Sequence, residues 1–338
     1  MIGISALWKR WQVQLLSVAA GACLGCIFRL LVNPIGSNPF LDKHLPMVTI
    51  TFLAIVPLAI GYLSVSRYLV QTPAEDERWY KWFFLPWASV AVTMLVSLVV
   101  KWEGYVCLIF AGPMMLLFSL LGGLCAKAAW VSMEKRSPGT LSAFAVPLCL
   151  LILEGYIPAH NEIRTVQTGT LIHAPAAIVW DEIRSVRTID ISELPQSWVG
   201  RVGFPRPLAA TLSHDGVGGV RNATFTGGLV FTETVFKWDP QQDLAFSIRA
   251  NTESIPKSTL DEHVTIGGAY FDVLDGEYRL EQRPDGVLLH LSSRERLSTH
   301  LNPYAGGWTD AVMHAIQYQI LTVIRNRCES KAATRHSS

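Results

Sequence analysis

Charge is scarce in the first half of this 338-residue chain. Up to Pro158 there are 18 Asp, Glu, Lys and Arg residues, against 37 in the 180 positions that follow. A soluble domain carries about 25% charged residues. The first half is therefore excluded as a soluble domain, whereas the second half has ordinary composition. An excess of positive charge is also missing. The net charge is +1, which removes the electrostatic case for a nucleic-acid partner. Cysteine pairs are missing from the second half, where Cys328 stands alone among six cysteines. That half can form no internal disulfide, which suits a reducing or an oxidising compartment equally. Cys23 and Cys26 have redox or metal spacing, but they lie in an apolar run and read as small packing residues.

Catalytic signatures are sparse as well. The chain has no Gly-x-Ser-x-Gly elbow and no Gly-x-x-x-x-Gly-Lys loop. Gly216–Gly219 is too short and wrongly placed for a dinucleotide fingerprint. The histidines of the second half, His160, His173, His214, His263, His290, His300, His314 and His336, form no close metal-ligand pair. No metal and no cofactor are expected.

What the first half does have is five apolar runs, at 11–32, 47–66, 83–100, 105–126 and 139–158. Each has roughly the 20 residues that a bilayer core needs. The region 1–158 therefore reads as a membrane domain of about five transmembrane helices. Five spans put Lys9, Arg10, Arg67, Arg78, Lys81, Lys127, Lys135 and Arg136 on one side and only Lys43 and Lys101 on the other. This bias places the N-terminus in the cytoplasm and the second half outside it, across what reads as an inner (cytoplasmic) membrane. The fifth run contains Pro147 and ends near Glu154; if it lay on the surface, the second half would stay cytoplasmic. Arg29 and Glu154 read as residues near the outer ends of spans, reaching the interface.

The second half opens with alternation over 164–173, which suits a strand. Ala174-Pro175 starts a helix through about Val186, with Ile178, Val179, Ile183 and Val186 on its buried face. Strand patterns follow at 208–213, 219–226, 229–238 and 244–250, with Gly227-Gly228 as a tight hairpin. The stretch 251–268 reads as a polar loop. Runs at 270–282 and 287–297 then flank the turn Arg283-Pro284-Asp285-Gly286. Last comes a long helix over 303–327, with Trp308, Val312, Ile316, Ile320 and Ile324 every fourth position. Residues 330–338 read as a flexible tail. Short turns between neighbouring strands argue for an antiparallel sheet.

The order strand, helix, several strands, long helix resembles the helix-grip fold of the START-like superfamily. That superfamily (SRPBCC) includes polyketide cyclases and dehydrases and lipid-transfer domains. The residues that carry the resemblance run from Gly169-Thr170-Leu171-Ile172-His173-Ala174-Pro175 to Asp181. To these are added Gly216-Val217-Gly218-Gly219-Val220-Arg221 and the terminal helix from Trp308. The resemblance covers about 163–329 and implies an α+β domain, a curved antiparallel sheet around a long C-terminal helix, following the membrane helices. It also implies an apolar cavity between sheet and helix.

Alternation then nominates the side chains that face such a cavity. On the last strand Val287, Leu289, Leu291, Ser293, Glu295 and Leu297 share the more apolar face. An inward Glu295 needs a partner; the other reading is a strand-end charge in solvent. Tyr278 is a candidate inward hydroxyl, and Arg221 could meet Glu295 or a ligand carboxylate. Trp308, Val312, His314 and Ile316 of the long helix complete the candidate ligand-binding set. Asn302-Pro303-Tyr304 and Gly306-Gly307 mark a portal loop or a plain helix entry.

These residues favour a membrane-anchored domain that binds a hydrophobic or lipid-like small molecule. Two alternatives stay open. One is a cyclase or dehydratase-type enzyme using Glu295, Tyr278 or His314. The other is a protein-interaction module whose cavity is filled by its own side chains.

Overall fold

The computed structural model describes residues 4–32, 48–132, 140–251 and 266–336. The chain divides into two compact units, Met1–Ala159 and His160–Ser338. The first unit is helical. It comprises α1 (Ile4–Val32), a π-helical turn (Thr51–Ile55) leading into α2 (Val56–Gln71), α3 (Lys81–Val99), α4 (Tyr105–Ser132) and α5 (Thr140–Glu154). Among the described residues, four helical segments are long and apolar enough to cross a membrane: Trp8–Val32, Thr51–Gln71, Lys81–Val99 and Tyr105–Ser132. The segment expected as a fifth span is the 15-residue helix α5. At about 1.5 Å per residue it reaches roughly 22 Å, short of a bilayer core of about 30 Å.

Small residues let these helices approach. Gly21 lies against Ser64 and Ser89, and Gly25 against Ile60 and Thr93. As α1 ascends, α2 descends and α3 ascends beside it. Where α2 crosses α4, a Cβ on Gly61 would sit 1.8 Å from the Ser119 carbonyl oxygen. One on Gly122 would sit 1.9 Å from that of Leu58. The buried Ser64 and Ser89 hydroxyls are 2.7 Å apart and bridge α2 to α3. Close approach of this kind gains van der Waals contact along the helix backbones. Gly61→Ala is expected to cost about 2 kcal/mol by forcing the two backbones apart. Denaturation of the detergent-solubilised chain, compared with wild type, measures it.

Polar side chains tie the ends of the bundle. Arg10 pairs with Asp76, Lys127 with Glu77, and Lys81 donates to Gln14. The start of α1, the α2–α3 connection and the end of α4 therefore share one end. Arg29 and Glu154 differ from the expectation of side chains reaching an interface. Arg29 is 4% exposed and is ion-paired with Glu103, and it also donates to the Trp102 carbonyl at 2.5 Å. The α3–α4 connection supplies these partners, so Arg29 need not reach water. Glu154 accepts the backbone N–H groups of Ile50 and Thr51 at 2.7 and 2.8 Å. It satisfies orphan donors at the start of the second helical segment.

The second unit runs β1 (His160–Ile172), α6 (Ala176–Arg184), β2 (Pro207–Leu212), β3 (Val220–Phe225), β4 (Val230–Asp239), β5 (Asp243–Asn251), β6 (Phe271–Arg283), β7 (Gly286–Thr299) and α7 (Asn302–His336). The strands form one antiparallel sheet in the order β1-β7-β6-β5-β4-β3-β2. The sheet curves around the terminal helix, which is the helix-grip architecture. Its core joins Ile178, Val179 and Ile183 of α6 to Leu289 and Leu291 of β7 and to Leu321, Ile324 and Cys328 of α7. Burial pushes the Cys328 thiol up to about 12 and leaves it unreactive.

Local chemistry explains several boundaries. Helix α6 stops at Arg184, because the Val186 N–H and C=O turn to pair with Ala210, both at 2.8 Å. Gly227 and Gly228 have φ of 78° and 84°, a left-handed turn that only glycine makes without strain. Most of the loop expected over 251–268 lies outside the described residues. Helix α7 continues past Arg327, where the apolar periodicity ends, through residues expected to form a tail. Lys331 pairs with Glu182, and Ala332 is buried.

Arg327 is the clamp at that end. It donates to both Glu193 oxygens at 2.7 and 2.8 Å, to Glu182 at 3.2 Å, and to the carbonyls of Arg187 and Thr188. Arg327→Ala is expected to destabilise the chain by about 2 kcal/mol, since charge-assisted bonds to a largely buried carboxylate are lost. Chemical denaturation tests it.

Candidate functional site

Strand alternation places the inner face of the grip. On β7, Val287, Leu289, Leu291, Ser293, Glu295 and Leu297 are all buried, whereas Arg294 between them is exposed. Two polar groupings lie among these apolar side chains.

The first is built on β3, β4, β5 and β6. Arg221 and Glu233 stand opposite each other in the β3–β4 register. Their side chains are 4% and 8% exposed, with Nε 3.1 Å from Oε2. The alignment is that of an ionic contact, since neither atom is satisfied as a hydrogen-bond partner. The guanidinium also donates to the Ile183 carbonyl at 3.1 Å and lies 5.0 Å from the Phe246 ring centroid and 5.6 Å from that of Tyr278. Burial works against the Arg221 charge, but Glu233 and the Tyr278 hydroxyl outweigh it and hold the group above its ordinary value. Burial pushes the Tyr278 hydroxyl up. Arg221 thus meets Glu233 and Tyr278, not Glu295, because the hairpin register delivers Glu233 to it.

The second grouping sits between β1, β7 and α7. Gln317 is 2% exposed. Its Nε2 donates to the Val166 carbonyl at 3.0 Å and to the Ser293 hydroxyl at 3.1 Å. Its Oε1 accepts from Thr168 at 2.8 Å. All of this amide's bonds are internal, so Gln317 pins the helix to two strands.

Glu295 is different. It is 0% exposed, and neither carboxylate oxygen has a hydrogen-bond partner. Across the sheet Arg164 stands in register with it on β1 and Val273 on β6. The Arg164 guanidinium is turned to Asp310 of α7, at 3.0 and 2.5 Å, and to Glu162 at 2.5 Å. The nearby Thr309 hydroxyl gives its proton to the Gly306 carbonyl at 3.2 Å. Burial pushes the Glu295 carboxyl up to about 7; Thr309 and Arg164 oppose the rise and Asp310 adds to it. An unpaired carboxyl in such a place is costly unless it is neutral or meets a donor.

The remaining candidates are spread along α7. Val312 is buried, and Trp308 and Ile316 are half-buried. Trp308 stacks edge-on against Tyr304, with ring centroids 6.5 Å apart. His314 is exposed, with Nδ1 2.9 Å from the Thr168 hydroxyl. At one end of the sheet an open groove of about 500 Å³ is lined by His173–Ala177, Gln241, Gln282, Arg283 and Asp285–Val287. No candidate residue lines it. Sequence reasoning missed Glu233, Gln317 and the Arg164–Asp310 pair. For Glu233 a signal existed: it alternates with Phe231 and Val235 on one face of β4. For Gln317 there was none, since a polar residue four before Leu321 reads as solvent-facing.

No protein-family model matches the chain. No curated protein matches it either. Solved structures similar to it include an uncharacterised protein from Rhizobium leguminosarum, at 14% identity and a TM-score of 0.31, covering 49% of this chain and 97% of that one. The Aha1 dimer from Colwellia psychrerythraea is similar at 12% identity and a TM-score of 0.28, over 49% and 96%. DynU16 of the dynemicin biosynthetic locus is similar at 16% identity and a TM-score of 0.24, over 46% of each chain. The class of the second unit, a helix-grip domain, rests on its own strand order and terminal helix.

Proposed function

We propose that this chain is a membrane-anchored, START-like domain that binds an apolar small molecule between its curved sheet and α7. The observation that carries the reading is Glu295. Evolution of a purely structural interior removes unpaired buried carboxyls, whereas a ligand site keeps a few polar groups among apolar walls. The four long apolar helices support anchoring in a membrane. The test is native mass spectrometry of the full chain, purified in non-ionic detergent. A reproducible non-covalent adduct that survives delipidation is expected. A chain that carries no adduct and takes up no hydrophobic probe would overturn the proposal.

The anchor is proposed to leave its N-terminus in the cytoplasm and residues from His160 onward outside, which requires the short helix α5 to complete a fifth crossing. Two observations support this sidedness. The described cations Lys9, Arg10, Arg67, Arg78, Lys81 and Lys127 belong to segments that gather at one end of the bundle. In addition, Glu154 ends α5 beside Ile50, where the descending second segment begins. Helix α5 thereby finishes at the end opposite the start of α1. A compartment-sensitive reporter fused after Ser338 reads the side directly; activity in the cytoplasm would reverse the assignment.

A further inference from the structure

Binding by this interior leaves the polar end of the ligand undefined, and the inference below rests on that binding reading. The charges around Glu295 define that end. A free buried cation would select an anionic head such as a carboxylate or phosphate. Among the described residues, the buried cation on the inner face of the sheet is Arg221, and Glu233 already matches it. Arg164 is the cation beside Glu295, and Asp310 and Glu162 already hold it. The local count is one guanidinium against three carboxylates. Of these, the Glu295 carboxylate is the one with no cationic partner of its own, and neither of its oxygens has a hydrogen bond of normal geometry.

The geometry points to a ligand that is a long-chain amine: we propose that its protonated nitrogen donates to the Glu295 carboxylate while its chain lies along the apolar face of β7 and α7. An ammonium supplies three donors and the missing positive charge. An alcohol supplies one donor and no charge, and a fatty acid adds a fourth carboxylate. The groups facing Glu295 are Arg164 on β1, Thr309 and Asp310 on α7, and the uncharged Val273 on β6. None of these competes with the ammonium for the carboxylate except Arg164, which is turned away. The first turns of α7 cover the site. Their glycines Gly306 and Gly307 weaken the helix there, and a Cβ on Gly307 would meet open space. This segment is the entry route that the proposal uses.

The experiment compares dodecylamine, dodecanol and dodecanoate on the full chain in zwitterionic nanodiscs at pH 8, read by native mass spectrometry. The amine is expected to occupy the protein at least about tenfold more readily than the other two. E295Q is expected to lose about 10–100-fold of that affinity, the size of one charge-assisted bond. E295D, which keeps the charge, should retain the preference for the amine, and circular dichroism checks that both variants fold. Equal binding of alcohol and amine, preference for dodecanoate, or amine binding unchanged in E295Q would each overturn the amine assignment and leave the binding reading standing. A wild-type chain that takes none of the three probes would overturn both.

Discussion

Replacing Arg221 with methionine is expected to lower the unfolding free energy by about 3–5 kcal/mol, the range for breaking a buried ion pair by removing one partner. A domain's whole margin is about 5–15 kcal/mol, so the variant should be visibly fragile in urea. The cause is electrostatic: Glu233 would remain buried with its counter-charge gone. The Ile183 carbonyl would lose its donor too. The double variant Arg221→Met, Glu233→Leu removes both charges and should recover most of the loss. The same measurement separates two roles for Arg221. A guanidinium reserved for a ligand would be dispensable for folding, and Arg221→Met would then unfold at the wild-type urea concentration.

The second large effect is a dependence on pH that belongs to Glu295. Its carboxyl has an ordinary value of 4.5 and lies at about 7 in the folded chain. Between those values the folded protein holds a proton that the unfolded chain has released. Stability therefore falls as pH rises from 4.5 to 7 and is flat beyond, with no penalty below 4.5. The full difference is about 3 kcal/mol. Other groups titrate over the same range, so the informative quantity is the comparison with E295Q. The Gln variant should lack this decline, gaining on wild type between pH 4.5 and 7 and keeping the gain at pH 8. Parallel stability curves for the two proteins would mean that Glu295 is solvated or paired in solution.

Much of the second unit could be read before its structure was known, and the reasons are local. Strand β7 reveals itself because one face must be apolar, and the alternation from Val287 to Leu297 admits a single register. The turn before Gly286 is similarly forced. A Cβ there would sit 2.2 Å from the Ile172 carbonyl oxygen, in a residue with φ of 149°. The partner of Arg221 was legible in principle. Arg221 and Glu233 lie six residues either side of Gly227, so the hairpin alone pairs them. The burial of Gln317 was not legible, because polarity argues against it and only the meeting of α7 with Val166 and Ser293 overrides that. The end of α7 was hidden for a related reason: residues beyond Arg327 have little apolar periodicity, and Glu182, far away in sequence, holds them. In the first unit the apolar run near 139–158 suggested a full span. Composition alone does not show that its helix ends at Glu154, with that side chain spent on capping Ile50 and Thr51.

The strand order has a consequence for biogenesis. Strand β1 is the first part of the sheet to leave the ribosome, and its partner is the last strand made, with Ile172 opposite Val287 and His160 opposite Thr299. At about 5–20 residues per second the intervening chain takes roughly 6–25 s to synthesise. Throughout that interval β1 is a free edge with nothing to pair with, and such edges recruit other strands. The apolar helices have by then already been translated. The nascent chain has thus completed its apolar helices while its sheet is still open at the β1 edge.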